Sequence, residues 1–300
     1  MATTTSYGLY RTRISTASEA VHIPRTVPTV WGTAADGPLD QTQLEAHETD
    51  GYTILHNALT SDEIRDFQHE LAELSENPSL ADDPRIIRER GTAIVRSVFD
   101  VVNLRDSFAR LARDPRILDV ARQLLGSDVY LHQTRVNAMP GFQGKGFYWH
   151  SDFETWYAED GMPCPRAVSC SISLTENFPF NGSLMVVPGS HQTFVPCIGQ
   201  TPVDNHQSSL VQQMIGVPRH EDIATLVAAH GVSQFTGPAG SALWFDSNIM
   251  HGSNDNITPY PRSNIFLVFN SVDNTCVEPF AAPNRRPEYI ASRDFTPLSR

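Results

Sequence analysis

A histidine and an aspartate stand one residue apart in the aromatic run FYWHSDFETW, residues 147–156. Successive side chains of a strand point to opposite faces, so His150 and Asp152 are predicted to project from one face, with Ser151 on the other. An imidazole and a carboxylate placed in this way could bind one metal ion, or could form a salt-bridged pair in a loop. A third ligand is needed to decide between these interpretations.

His251 is the candidate third ligand, beyond the predicted strand ALWFD and next to Gly252. Two imidazoles and one carboxylate form the facial triad of non-haem iron oxygenases, which leaves coordination positions open for a cosubstrate and oxygen. Zinc could bind the same three ligands, so the triad alone does not identify the metal. Each residue taken singly could be structural, but their joint order is uncommon by chance.

Arg262 follows at the head of another predicted strand, in PYPRSNIFLVF. If adjacent strands present His251 and Arg262 to one cavity, the guanidinium can hold the far carboxylate of a dicarboxylate that chelates the metal at its other end. This arrangement favours 2-oxoglutarate as cosubstrate.

Two amphipathic helices and several short strands must position these residues. Thr60 and Glu63 have the spacing of a capping box, and Asp114 and Gly126 mark the two ends of a second helix. β-rich runs punctuated by Gly, Pro and Asn follow from about residue 129: VYLHQTRVNAM, AVSCSISLT, GSLMVVPGS, GSALWFD and SNIFLVFNSV. The pattern predicts a mainly β sandwich or barrel with flanking helices.

The domain organisation is predicted from local composition. Residues 1–40 are rich in Thr, Ser, Pro and Gly without a sustained period, which predicts an irregular N-terminal arm. Residues 41–300 are predicted to form a single domain. Within it, the polar, helix-prone stretch 196–235 interrupts the strand pattern and is predicted to be an insertion or a lid.

Composition limits the classes of partner and the location. The net charge of −12 argues against a nucleic acid or an anionic membrane as partner, so a small-molecule substrate is expected. The four cysteines lack C-x-x-C spacing and are expected to be reduced thiols. No stretch reaches the roughly 20 apolar residues of a membrane span. We therefore expect a cytoplasmic protein, and a homodimer is compatible with these features.

Longer stretches around the candidate residues resemble the phytanoyl-CoA dioxygenase superfamily of iron(II)- and 2-oxoglutarate-dependent oxygenases. The similarity extends over nearly the whole chain, including TVWG in the arm, and runs through FYWHSDFETWYAEDGMP, NGSLMVVPGSH, FTGPAGSALWFDSNIMHGSNDNITPYPRSN and NTCVEPFAAPNRRPEYIASRDFTPL. The resemblance implies a double-stranded β-helix, or cupin-like jelly roll. It also implies a dioxygenase that uses Fe(II), 2-oxoglutarate and O2.

The resemblance assigns roles to individual residues. The catalytic iron would be bound by His150, Asp152 and His251. The cosubstrate 2-oxoglutarate would be surrounded by Asn137, Phe147, Ser253 and Arg262. The substrate pocket would be lined by Gln133, Arg135, Trp156, Phe245 and Phe266.

Within the superfamily the chain is most similar to members that hydroxylate ectoine to 5-hydroxyectoine, a compatible solute. Aromatic walls suit such a compact amidinium zwitterion through cation–π contact. Two positions differ from that pattern: Met139 stands where a lysine is expected, and Tyr157 stands where the signature has histidine.

Three alternatives remain open at the level of sequence. A hydroxylase of a free cyclic amino acid, such as proline or pipecolate, would share the scaffold and differ in the pocket. A non-catalytic jelly-roll binding protein would keep the fold without the redox cycle. A zinc hydrolase would use the triad but lacks an evident general base beyond the ligands.

Overall fold

The computed structural model describes residues 8–17 and 20–300. The remaining parts of the predicted arm, residues 1–7 and 18–19, lie outside the described residues. The described arm runs over the surface of the β-structure, where Ile14 forms a parallel bridge with Ile198.

The helices and strands alternate through the chain. The helices are α1 (Gln41–Asp50), α2 (Ser61–Glu76), α3 (Val101–Leu104), α4 (Asp106–Arg113), α5 (Pro115–Leu125), α6 (Asp152–Thr155), α7 (His206–Ser209) and α8 (His220–His230). The strands are β1 (Ile23–Pro24), β2 (Tyr52–Leu55), β3 (Ile86–Arg88), β4 (Val95–Phe99), β5 (Val129–Met139), β6 (Phe147–His150), β7 (Ala167–Ser173), β8 (Leu184–Val186), β9 (Thr193–Phe194), β10 (Ser233–Gln234), β11 (Ala242–Asp246), β12 (His251–Ser253) and β13 (Arg262–Ser271). A π-helical turn, Trp156–Asp160, continues directly from α6.

Two antiparallel sheets form the framework of the molecule. Seven strands pair in the order β2-β11-β7-β13-β5-β4-β3, and four pair in the order β10-β8-β12-β6. Side chains from both sheets meet in one buried cluster, which includes Leu184 and Val186 from the smaller sheet and Phe245 and Phe266 from the larger. The predicted jelly roll is confirmed.

Strand β13 is buried on both faces, so its apolar residues form a nearly continuous run. Ile265, Leu267 and Phe269 pack into the core beneath the helices, whereas Phe266 points between the sheets. Side chains of a strand alternate between its two faces, so the residues on the same face of β13 as Phe266 can contribute to a site between the sheets.

The two helices predicted from sequence are present as α2 and α5. Thr60 and Glu63 form the capping box of α2, and Asp114 caps α5, which ends at Gly126 in a left-handed conformation. Their apolar faces cover the outer face of the seven-stranded sheet. Among the helices in residues 8–17 and 20–300, none is both long enough and apolar enough to cross a membrane.

Candidate active site

His150, Asp152 and His251 converge on one point between the sheets. A ligand atom from each lies within 4.8 Å of the other two. His150 Nε2 is 3.8 Å from Asp152 Oδ1, and His251 Nε2 is 3.9 Å from Asp152 Oδ2. His150 and His251 are register partners on β6 and β12, so backbone pairing sets the two imidazoles side by side. The predicted convergence of the three side chains is present.

The secondary structure that brings Asp152 to His150 differs from the prediction. Strand β6 ends at His150, and Asp152 is the first residue of helix α6 rather than a second residue on the same strand face. Ser151 caps the helix by accepting a hydrogen bond from Glu154 N, and its hydroxyl donates to Asn248 Oδ1 at 3.1 Å. The strand-alternation argument for Asp152 was therefore wrong, because a capped helix start turns the carboxylate towards His150.

Backbone carbonyls orient both imidazoles. Nδ1 of His150 lies 2.6 Å from Tyr148 O, and Nδ1 of His251 lies 3.0 Å from Ile249 O. A carbonyl only accepts, so each Nδ1 carries the proton and each Nε2 presents a lone pair. This is the tautomer that a metal ion requires.

The charge states of His150 and Asp152 also suit a cation. Burial, together with the neighbouring His251, lowers the pKa of His150 to about 4, so the ring is neutral at pH 7. Burial alone would raise the pKa of Asp152, but His251 and Arg135 hold it below its ordinary value. Two imidazoles, each with Nε2 towards the carboxylate of Asp152, form with it a donor set suited to a divalent ion such as Fe(II) or Zn(II).

Arg262, the predicted anion-binding residue, is buried at the start of β13 with about 1% of its surface exposed. Within the part of the chain that the structure describes, its Nε and Nη2 have no hydrogen-bond partner. Burial, reinforced by the positive charge of Arg135, lowers the pKa of Arg262 to about 10. A buried guanidinium with unpaired donors is costly, and a bound carboxylate would remove that cost.

One face of β5 lines a cavity beside the triad. Gln133, Arg135 and Asn137, spaced two residues apart, all line it, together with Phe147 and Trp156. The Arg135 guanidinium donates to Gln133 and lies 4.6 Å from the ring centroid of Phe266. These predicted pocket residues are brought together next to His150 and Asp152.

Three other predicted site residues are not among those that line this cavity. The Phe245 ring packs on His251, with centroids 5.1 Å apart, and Phe266 lies under Arg135. Ser253 Oγ accepts a hydrogen bond from Phe147 N at 3.1 Å. Phe266 and Ser253 thus contact residues that line the cavity, whereas Phe245 contacts the metal-ligand candidate His251.

Several cavity residues were missed in the sequence. Ser97 and Phe99 on β4 stand opposite Asn137 and Arg135 on β5, and their spacing of two was a readable signal. The others carry no such signal, since they come from α6, the π-helical turn, the 196–235 stretch and the C-terminal region: Thr155, Glu159, Ser209, Leu210, Gln213, Ile215 and Arg286.

The two positions at which the resemblance leads us to expect other residues, Met139 and Tyr157, are both buried. Met139 stands opposite Arg262 in the β5–β13 register, so no second cation accompanies the guanidinium at that position. The Tyr157 ring stacks on Phe280 with centroids 4.2 Å apart. Tyr157 therefore packs within an aromatic cluster.

A buried polar network lies next to residues that line the cavity. Asp160 accepts two hydrogen bonds from Arg286, at 2.7 and 2.5 Å, and lies 3.1 Å from His132 Nε2. Nδ1 of His132 lies 3.8 Å from the Cys276 thiol, and its ring packs edge-on against Trp156. The network thus contacts two residues that line the cavity, Arg286 and Trp156.

The His132 contacts predict a pH-dependent stability. Burial lowers the pKa of this imidazole, but Cys276 and Asp160 more than offset that effect and raise it to about 9. The protonated ring therefore stabilises the folded protein fully below about pH 6.5, and this contribution is lost as the pH rises through about 9. For His132→Asn we expect a melting temperature below that of the parent at pH 6, with the difference shrinking by pH 9.5. A constant difference in thermal melts from pH 6 to 9.5 would contradict this assignment.

Together, the jelly roll and the two-histidine, one-carboxylate site define the class of metal-dependent non-haem oxygenases. The family model for phytanoyl-CoA dioxygenase (PhyH) matches residues 47–264. This chain belongs to the phytanoyl-CoA dioxygenase family.

Curated relatives and solved structures resemble the chain over nearly its full length. It is 62% identical to the ectoine dioxygenase of Nocardia farcinica, over 96% of this chain and 95% of that one. It is 52% identical to the ectoine dioxygenase of Streptomyces coelicolor, over 99% and 100%. The crystal structure of EctD from S. alaskensis with 2-oxoglutarate and 5-hydroxyectoine is 42% identical, with a TM-score of 0.85, over 95% of this chain and 94% of that one.

Proposed function

We propose that this protein is an iron(II)- and 2-oxoglutarate-dependent dioxygenase that hydroxylates ectoine to 5-hydroxyectoine, with release of succinate and carbon dioxide. The observation that carries the proposal is the convergence of His150, Asp152 and His251 in the same fold as a buried Arg262 whose Nε and Nη2 have no hydrogen-bond partner among the described residues. The relatives named above support ectoine as the substrate.

The residues that would hold iron are His150, Asp152 and His251. Bound there, iron(II) supplies the redox chemistry by which O2 oxidises 2-oxoglutarate and a C–H bond of the substrate. The protein contributes the ligand geometry through the β6–β12 register and the capped start of α6. Because the third ligand is a carboxylate, hydroxylation is favoured over halogenation, whose enzymes leave that position to chloride.

The residues assigned to 2-oxoglutarate are Asn137, Phe147, Ser253 and Arg262. Arg262 would pair with the carboxylate far from the metal, as its unpaired Nε and Nη2 donors require. Asn137 is held by a hydrogen bond from Ser97 Oγ at 2.8 Å, and Ser253 fixes the backbone of Phe147. These contacts orient the site before a ligand binds, which reduces the entropy lost on binding.

The residues assigned to ectoine are Gln133, Arg135, Trp156, Phe245 and Phe266. Arg135 is the cation suited to the substrate carboxylate, and Trp156 offers an aromatic face to the amidinium. Phe266 supports the Arg135 guanidinium, and Phe245 supports His251. The aromatic side chains that line the cavity, Phe99, Phe147 and Trp156, would exclude water from the reacting C–H bond.

The setting of the enzyme is part of the proposal. We place it in the cytoplasm, where reduced thiols are the rule, and its four cysteines are all free. Its organisation would be an arm over 1–40 and a catalytic domain over 41–300, with 196–235 as an insertion over the site. A homodimer stays a prediction that sedimentation velocity can test.

The test is anaerobic titration of the purified chain with Fe(II) and 2-oxoglutarate, followed by exposure to air with ectoine. We expect one succinate for each ectoine that gains one oxygen atom, and inhibition by chelators that iron reverses and zinc does not. Proline and pipecolate serve as competing substrates. Oxygen insertion into either of them, with none into ectoine, would reject the proposed substrate and retain the dioxygenase chemistry.

A further inference from the structure

The cavity is covered by residues 197–216, which we call the roof. Ser209, Leu210, Gln213 and Ile215 of the roof line the cavity. Its regular structure is α7, which has four residues, and so short a helix is not stable on its own. The position of the roof must therefore be set by contacts with other parts of the chain.

Arg13, on the arm, contacts both the roof and the helical segment that follows the metal ligand Asp152. Its buried guanidinium donates to Glu154 twice, from Nε to Oε1 at 2.8 Å and from Nη2 to Oε2 at 2.9 Å. Nη2 also lies 3.1 Å from Oε1 of Glu159, and Nη1 donates to Thr201 Oγ1 at 3.3 Å. One side chain thus joins three segments that are far apart in sequence.

Backbone and hydroxyl hydrogen bonds hold the same stretch of the arm against the roof. Ile14 N donates to Cys197 O at 3.1 Å, and Gly199 N donates to Ile14 O at 2.9 Å. The Thr12 hydroxyl donates to Glu154 Oε1 at 2.5 Å and accepts from Cys197 N at 2.9 Å. The arm therefore adds a short parallel pairing to the near end of the roof.

Gly216, at the C-terminal end of the roof, lies close to the Arg13 guanidinium. A Cβ on Gly216 would lie 2.5 Å from Arg13 Nη2 and 2.9 Å from Glu154 Oε2, and Gly216 has a φ of +78°. Midway along, Asn205 donates to Glu159 Oε1 at 2.9 Å. The roof is thus hydrogen-bonded to one ion cluster through Thr201 and Asn205 and lies against it at Gly216, and Glu159 of that cluster lines the cavity.

We propose that Arg13 is a positioning residue that holds the roof and the metal-binding helix α6 in one register over the cavity. This rests on the function proposed above, since it assigns Arg13 a role in the same site. Without Arg13, Glu154 and Glu159 would be buried without their cation, and the cluster would open to water. The roof would then lose its common anchor while the jelly roll stayed intact.

The test compares the full-length, iron-loaded protein with Arg13→Met, Arg13→Lys and Gly216→Ala. The matched control is Arg25→Met, which removes another buried arm arginine, one paired with Asp246 at 2.9 Å and not with the roof. Three quantities are measured: the melting temperature, amide hydrogen exchange, and the ratio of succinate released to hydroxylated product.

We expect Arg13→Met to speed exchange of the amides that α7 hydrogen-bonds, Ser209 N and the C-cap Leu210 N, by at least about tenfold. Exchange within α8 should stay at the parent rate. The succinate-to-product ratio should rise, since a loosened roof admits water during turnover. Arg13→Lys should have an intermediate effect, because lysine keeps the positive charge but cannot form the paired hydrogen bonds of a guanidinium. Gly216→Ala should have the same effect as Arg13→Met, because the added methyl group would displace the Arg13 guanidinium from the roof.

Two outcomes would overturn the role of Arg13. One is parent-like α7 exchange and product ratio in Arg13→Met, with only a lower melting temperature like that of Arg25→Met. The other, should Arg13→Met fail to fold, is parent-like exchange in both Arg13→Lys and Gly216→Ala. If the parent protein does not hydroxylate ectoine, the proposed function is rejected but the role of Arg13 is not. Hydrogen exchange would still measure whether Arg13 holds the roof in place.

Discussion

Replacing Asp152 with alanine is expected to abolish turnover and weaken iron binding, while the folded structure is retained. The carboxylate is the single anionic ligand of the triad and lies 3.8–3.9 Å from both imidazole Nε2 atoms. Removing a residue that only hydrogen-bonds to a metal ligand typically costs about 10–100-fold in metal affinity or activity. Removing a ligand itself should therefore cost more than about 100-fold in kcat/KM. Anaerobic Fe(II) titration and succinate release measure the two effects.

The control for this change is Asp62→Ala, which removes the same charge from an exposed position on α2. An exposed substitution of this kind shifts free energies by about 0.5 kcal/mol or less, so iron affinity should stay within about twofold of the parent. Undiminished iron affinity in a folded Asp152→Ala variant would show that the metal site lies elsewhere.

Replacing Arg262 with methionine is expected to change stability and cosubstrate binding in opposite directions. Truncating one partner of a buried charge pair costs about 2–5 kcal/mol, so KM for 2-oxoglutarate should rise by about 30-fold to several thousand-fold. The protein without 2-oxoglutarate should become more stable, because methionine removes a buried guanidinium whose Nε and Nη2 are unpaired in the described residues.

Thermal melts with and without saturating 2-oxoglutarate test both halves of this prediction. The parent should gain stability with ligand, as mass action requires, and the Arg262→Met variant should show a much smaller gain. Arg113→Met, which removes an exposed arginine from α4, is the matched control and should respond like the parent. An unchanged KM in Arg262→Met would remove the guanidinium from the cosubstrate site.

The same comparison bears on Met139. The family resemblance leads us to expect a lysine there, whereas Met139 leaves Arg262 opposite an apolar side chain. Cosubstrate binding should therefore depend strongly on Arg262, because its register partner on β5 carries no charge. An Arg262→Lys variant tests that dependence, because it keeps the charge and loses the two-pronged geometry.

Local sequence determined the elements whose signals are local. The capping box at Thr60 and Glu63 specifies the start of α2, since both groups satisfy backbone donors within four residues. Gln133, Arg135 and Asn137, which the family resemblance assigned to the site, are spaced by two along β5, and all three line the cavity. The order of His150, Asp152, His251 and Arg262 indicated the chemistry because few combinations of residue types bind both a metal and a dicarboxylate.

Tertiary structure decided how distant segments meet. Asp152 reaches the metal site from a capped helix, because the chain leaves β6 after His150, and strand periodicity could not show that turn. Arg13, Glu159 and Arg286 join the site through ion pairs that span more than 100 residues, and buried charges are paired by whichever segments the fold brings together. Sequence alone therefore specified the reacting groups, whereas the fold determined the walls and roof of the cavity, since those depend on long-range packing that no local pattern encodes.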